Sequence, residues 1–127
     1  MSSFTDYLEN RVLDHIFRAT ASTAPAAVYL ALYTVAPTDA GGGTEVTGGG
    51  YARQAITFGA ASGGAISNTA AVSFTASGAN FGTVVAVAIL DASTSGNMLA
   101  WDGITSAVVN DGDTINFAIG DIDLALT

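Results

Sequence analysis

The spacing of hydrophobic and polar positions changes period once along this chain, close to Pro25. Before it, Leu8, Val12 and Ile16 recur every fourth residue and Leu13 and Phe17 widen the apolar stripe, which predicts an α-helix over residues 4–17. Ser3 suits the N-cap, and Asp6, three residues on, is an acid favourable to the positive end of the helix dipole. Arg11, Asp14 and Arg18 fall on the opposite side, with Asp14–Arg18 an i, i+4 ion pair in the favourable order. Glu9 intrudes on the apolar stripe, and the helical pattern does not account for it. Residues 19–25, ATASTAP, have the composition of a linker. Beyond it the period becomes that of strands: 28–33, 51–58, 65–67, 71–75, 84–90, 98–101, 104–109, 114–118 and 122–126. The run 84–90 is apolar on both faces and predicts a central strand. Gly63-Gly64, Ser95-Gly96-Asn97, Asp102-Gly103 and Asp111-Gly112-Asp113 read as turns. The prediction is a mostly β protein: an antiparallel β-sandwich, jelly-roll or immunoglobulin-like, with an N-terminal α-helix. Residues 1–24 form a helical arm and linker, and 25–127 the β domain.

Composition adds a question about the surface. Half of the 127 residues are hydrophobic and only 11% are charged, against a usual charged share of about 25%. So little charge favours a surface covered by other molecules, copies of the same chain first among them. The formal net charge is −8, with three arginines and eleven acids. Arg11 and Arg18 nearly balance the acids of the helix, whereas Arg53 alone offsets those of the β body. A phosphate backbone or an anionic membrane would be repelled by that body, so neither nucleic acid nor membrane is expected as a partner. No cysteine is present, which removes disulfides and thiolate chemistry. The first ten residues lack the basic-then-apolar order of a secretory signal, and the longest apolar run is far short of a membrane span. A soluble protein is expected.

Residues 39–53, DAGGGTEVTGGGYAR, are the most unusual stretch. Two triplets, Gly41, Gly42, Gly43 and Gly48, Gly49, Gly50, flank the β-prone Thr44-Glu45-Val46-Thr47. Glycine gives up the most backbone entropy on ordering, so six of them imply a loop whose shape is fixed by a scaffold or a partner. The stretch has no lysine and no Lys-Ser/Thr ending, so it is no phosphate loop. Tyr51 and Arg53 emerge directly from it, and two readings of them stand equally: anchors at a subunit contact, or one side of an ion pair within the chain.

Candidate chemistry is sparse. His15, the single histidine, has no cysteine or acidic pair beside it and reads as a partly exposed helix residue. Asp111/Asp113 and Asp121/Asp123 could suggest calcium, but the spacing of a calcium-binding loop and its closing glutamate are absent, and a turn and a solvent-facing strand side explain them. No G-x-S-x-G elbow occurs, and no pair of carboxylates is marked out for glycoside cleavage. Trp101 reads as core packing ahead of a ligand platform. No catalytic residue, metal or cofactor is expected.

Three segments, YLENRVLDHIFR, PAAVYLALYTVAPTDAGGGTEVTGGGYARQAITFGAASGGAISNTAAVSF and GDTINFAIGDIDLAL, resemble a family of short bacteriophage and prophage proteins labelled tail fibre or minor structural proteins of the virion. The resemblance implies a non-enzymatic virion component and carries no catalytic residues. Within a virion, a small acidic β domain with an arm suits a capsid decoration or cement protein on the head surface, self-associated and bound to the major capsid protein or other virion proteins. A trimer would match the threefold positions of an icosahedral shell. Leu8, Val12, Leu13, Ile16 and Phe17 would dock the arm, on its own body or on a neighbour, and the 41–50 loop with Tyr51 and Arg53 would fit a neighbour's contour. The alternative is a fibre or tail-tip protein binding a carbohydrate or protein receptor through Tyr33, Tyr51 and Trp101. A glycan-cleaving virion enzyme comes third.

Overall fold

Residues 3–126 are described by a computed structural model; Met1 and Ser2 of the predicted arm, and Thr127 of the predicted β domain, lie outside the described residues. Strand β1 (Ser3–Phe4) precedes helix α1 (Asp6–Phe17), and nine strands follow: β2 (Val28–Val35), β3 (Thr44–Glu45), β4 (Gln54–Ile56), β5 (Ala65–Ser67), β6 (Val72–Thr75), β7 (Gly82–Leu90), β8 (Met98–Val109), β9 (Thr114–Phe117) and β10 (Asp123–Ala125). One six-stranded sheet runs β1-β8-β7-β2, and β3 and β4 share the outer edge of β2. Two further ribbons, β6–β9 and β5–β10, stand apart from it in hydrogen bonding, and every pairing is antiparallel. The protein is therefore mostly β, antiparallel, with one N-terminal helix. The pairings do not establish a sandwich or jelly roll.

Alternation along the strands builds two apolar layers from one sheet. Leu30, Leu32, Val84, Val87, Ile89 and Leu99 face the β6–β9 ribbon, which closes over them with Val72, Phe74, Ile115 and Phe117. The ribbon reaches β4 on one side and β8 on the other, so the core is enclosed. The reverse face is lined with small side chains, Ala31, Ala86 and Ala88, framed by Tyr33, Leu90, Met98 and Trp101. Strand β7 is buried on both faces at its centre, as its unbroken apolar run predicts.

Three expectations are corrected. The helix begins at Asp6, not at residue 4, because Ser3 and Phe4 pair with Trp101 and Ala100 of β8. Thr5 takes the cap: its buried hydroxyl accepts from the Leu8 N–H (3.4 Å) and donates to the Met98 carbonyl (2.6 Å). Asp102-Gly103 is no turn. Both residues continue the ladder opposite Val87 and Ala86, and a register shift beyond them lets β8 run on as a single strand. The strand predicted over 51–58 is shorter, since the approach to it from Tyr51 belongs to a polar network.

Asn68, between β5 and β6, is 1% exposed. Its amide donates to the carbonyls of Ala70 and Ala118, and its oxygen accepts from the N–H groups of Gly120 and Ile122. All its hydrogen-bonding capacity is used to join the turn before β10 to the start of β6, which suits a buried amide.

Candidate functional site

All six glycines of the 41–50 loop have positive φ, from +61° at Gly49 to +94° at Gly41. Two are needed for space as well: a Cβ at Gly43 would sit 2.7 Å from the Val35 carbonyl, and one at Gly49 2.7 Å from that of Ala79. The loop so formed turns Tyr51 inward, stacked on Phe74 at 6.0 Å and edge-on to Phe81 at 5.7 Å. There the Tyr51 hydroxyl accepts from the Leu32 N–H (3.0 Å) and donates to Glu45 Oε2 (2.6 Å). Arg53 meets the same carboxylate through Nε and Nη2, both at 2.9 Å. Its Nη1 donates to the carbonyls of Ala92 and Ser95, each at 2.8 Å. The Arg53 side chain is only 8% exposed.

The electrostatics follow from this geometry. Burial is the largest influence on the Glu45 carboxyl and pushes it up, yet the hydrogen bonds from Arg53 and Tyr51, with the Arg53 charge, together outweigh it and hold the group below the usual carboxylate range. Hydrogen bonding to Glu45 raises Arg53 against the opposing effect of burial. Burial, then the hydrogen bond to Glu45, drives Tyr51 far up, so that its hydroxyl is a permanent donor. The structure thus pairs Arg53 with Glu45 inside the chain and places Tyr51 against the core.

Above this network lies a groove of about 570 Å³. One wall is the turn at 38–42, closed by Thr38–Gly41 bonds in both directions (2.9 and 2.8 Å). Asp39 fixes that wall: its carbonyl accepts from the Asp6 N–H (2.9 Å) and its carboxylate from Trp101 Nε1 (3.0 Å). The other wall is the turn at 91–97, where the Asp91 carboxylate accepts from the backbone and side chain of Asn97 (2.7 and 3.0 Å). Burial pushes the Asp91 carboxyl up, but the Asn97 bonds prevail and lower it. Tyr33, Leu90 and Met98 lie beneath. Tyr33 is 5% exposed, and its hydroxyl has no hydrogen-bond partner among the described residues. Burial, then the nearby Glu45 charge, raises its pKa, so it stays protonated.

Of the aromatics expected at a receptor surface, Tyr33 lines the groove, Trp101 braces its wall and Tyr51 lies within. Of the arm residues, Leu8 packs against the core and Val12 lines a cleft with Leu99 and Pro25. Leu13, Ile16 and Phe17 point away, 53%, 63% and 77% exposed. The linker folds back along the helix, where Arg11 holds Ser22 Oγ and the Thr23 carbonyl and His15 Nδ1 lies 3.0 Å from the Thr20 carbonyl. Asp111, Asp113 and Asp121 accept backbone N–H groups at turns. Among the described residues no three histidines or acids are grouped to hold a metal ion. Sequence reasoning missed the parts of the site that depend on distant partners: Glu45 as a hub, Asp91 and Asn97 as a brace, and Tyr33 as an open hydroxyl.

A family model described as podophage GP4 fiber I protein gp80 matches residues 3–125. The chain belongs to that family. No curated protein matches it in sequence. The fibre protein is accordingly a virion structural component and not an enzyme. The match covers both the helix and the β body, and it replaces the expected head-surface decoration with a tail-fibre component. Size and charge suited either place on a particle, so composition alone pointed to the wrong one.

Proposed function

We propose that the fibre protein contacts the host surface, with the groove between the 38–42 and 91–97 turns as its receptor-facing site. The observation that carries this reading is a groove lined by Tyr33, whose hydroxyl has no partner among the described residues, between two turns that are braced by hydrogen bonds within the chain. Membership of a fibre family supplies the setting. Purified protein added in excess should compete with phage for adsorption to the host, and its antibodies should block infection at that step. Unchanged adsorption in both experiments would overturn the reading.

Self-association is a second role, favoured by the exposed cluster Leu13, Ile16 and Phe17 on the outer face of the helix. This cluster is the part of the arm left free to reach a neighbouring copy, or another virion protein, once Leu8 and Val12 are docked on their own body. A closed ring of copies, a trimer among them, would bury it. Light scattering over a concentration series should show an oligomer, and the variant with Leu13, Ile16 and Phe17 all changed to serine should remain a monomer.

A further inference from the structure

We infer that Phe17 of one copy seats in the apolar cleft between helix α1 and the linker of a second copy, joining the chains head to tail. The inference rests on the self-association reading and names the surface that receives the exposed end of the helix.

Two features of the arm are complementary, and neither is met within the described residues. Phe17, the last residue of α1, is 77% exposed, with Leu13 and Ile16 exposed beside it. On the other side of the helix, a cleft of about 280 Å³ is lined by Leu8, Val12, Leu99, Ala24 and Pro25. That volume lies below the roughly 300–1,000 Å³ of small-molecule sites, whereas an apolar cavity of roughly 150 Å³ already admits a benzene ring. The cleft is therefore sized for one aromatic side chain.

Position keeps the chain from filling its own cleft. Phe17 follows Leu8 by nine residues, which at about 3.6 residues per turn is about two and a half turns, so the two side chains leave opposite sides of the helix. A copy that gives its Phe17 to one neighbour receives that of another. Such a contact is heterologous and generates a ring or an open chain. One aromatic joint is small, and a ring gains by repeating it, because closure adds a contact without adding a copy.

Charge selects the cleft over other surfaces. The outer helix face bears the exposed acids Asp6 and Glu9 as well as Phe17, so most of a chain with a net charge of −8 repels it. The cleft lining holds no acid, and Arg11 lines it with its guanidinium bonded to the neutral groups of Tyr7, Ser22 and Thr23. The groove between the 38–42 and 91–97 turns is instead lined by Asp6 and Asp39.

Sedimentation velocity on the 127-residue chain and its variants tests the joint. Wild type should assemble as concentration rises. Phe17→Ser removes the side chain that enters, and Ala24→Trp, at an exposed position of the cleft, blocks the side that receives. Each should weaken association by about tenfold or more, the effect of leaving one aromatic side chain unburied at a joint, and each should melt like wild type. Mixed in equal amounts, the two variants should form a dimer with one copy of each and nothing larger, because a single Phe17 and a single open cleft remain to meet. Thr23→Trp, also exposed on the cleft, repeats the block should Ala24→Trp fail to fold. No mixed dimer from folded variants, or cleft-blocked variants that assemble as wild type does, would overturn the inference. The latter result, beside a monomeric variant with Leu13, Ile16 and Phe17 changed to serine, leaves self-association standing through helix faces that meet each other. A wild-type chain that stays monomeric at every concentration overturns the self-association reading and the joint together.

Discussion

Replacing Glu45 by glutamine keeps the shape of the side chain and removes the charge that faces Arg53. The arginine would then be almost fully buried without a counter-ion, and breaking a buried pair in this way costs about 3–5 kcal/mol. The same group sets an acid limit. Its pKa in the folded chain is lowered, so its stabilising contribution is full above the unfolded value of about 4.3 and is lost as pH falls through the folded value. Denaturant titrations should therefore find Glu45→Gln less stable than wild type at pH 7, with the gap closing as pH falls below the carboxylate range. Asn68 gives a second test at this scale. Asn68→Asp keeps the acceptor for Gly120 and Ile122 but strips both donors from the Ala70 and Ala118 carbonyls. Two buried acceptors facing a carboxylate should cost about 3 kcal/mol or more, read as a lower denaturation midpoint with an unchanged slope.

Helix α1 is fixed to the sheet at its start by Thr5. Its hydroxyl joins the first helical turn to β8, so Thr5→Ala should cost about 1–2 kcal/mol and raise amide exchange in the helix before the sheet. The glycine loop is less forgiving. Gly49→Ala adds a Cβ 2.7 Å from the Ala79 carbonyl at φ +61°, and the clash and backbone strain together should lower stability by about 2–3 kcal/mol. How far these elements could be read in the sequence depended on how local their causes are. Strand β7 was legible because burial on both faces writes an unbroken apolar run. The helix was legible from its period, although its first turn was not: the pairing of Ser3 and Phe4 with β8 is set by residues nearly a hundred positions away. Asp102-Gly103 has turn composition, and only the ladder opposite Val87 and Ala86 overrides it. The site was the least legible part. Arg53 could be seen as a residue seeking an acid, but nothing local says that it also holds the Ala92 and Ser95 carbonyls, or that the Tyr33 hydroxyl has no partner among the described residues.

At the scale of the whole molecule, a formal charge of −8 acts against any contact between copies, and the exposed helix cluster acts for one. Surface repulsion is screened within about 8 Å at physiological ionic strength and within about 3 Å at 1 M salt, whereas burial of Leu13, Ile16 and Phe17 is not weakened by salt. Association of the purified protein should therefore strengthen as sodium chloride rises, and sedimentation velocity at several salt concentrations would show it. Weakening instead would mean that ion pairs hold the copies together. The groove has a different consequence. Its walls are braced by Asp39, which carries the 38–42 turn, and by Arg53, which grips the Ala92 and Ser95 carbonyls, while the Ala40 side chain is exposed on the groove wall and makes no part of that bracing. That position can be exchanged without unfolding the domain, so under the receptor reading proposed above a phage meeting a host with altered surface chemistry could shift its preference there by a single substitution.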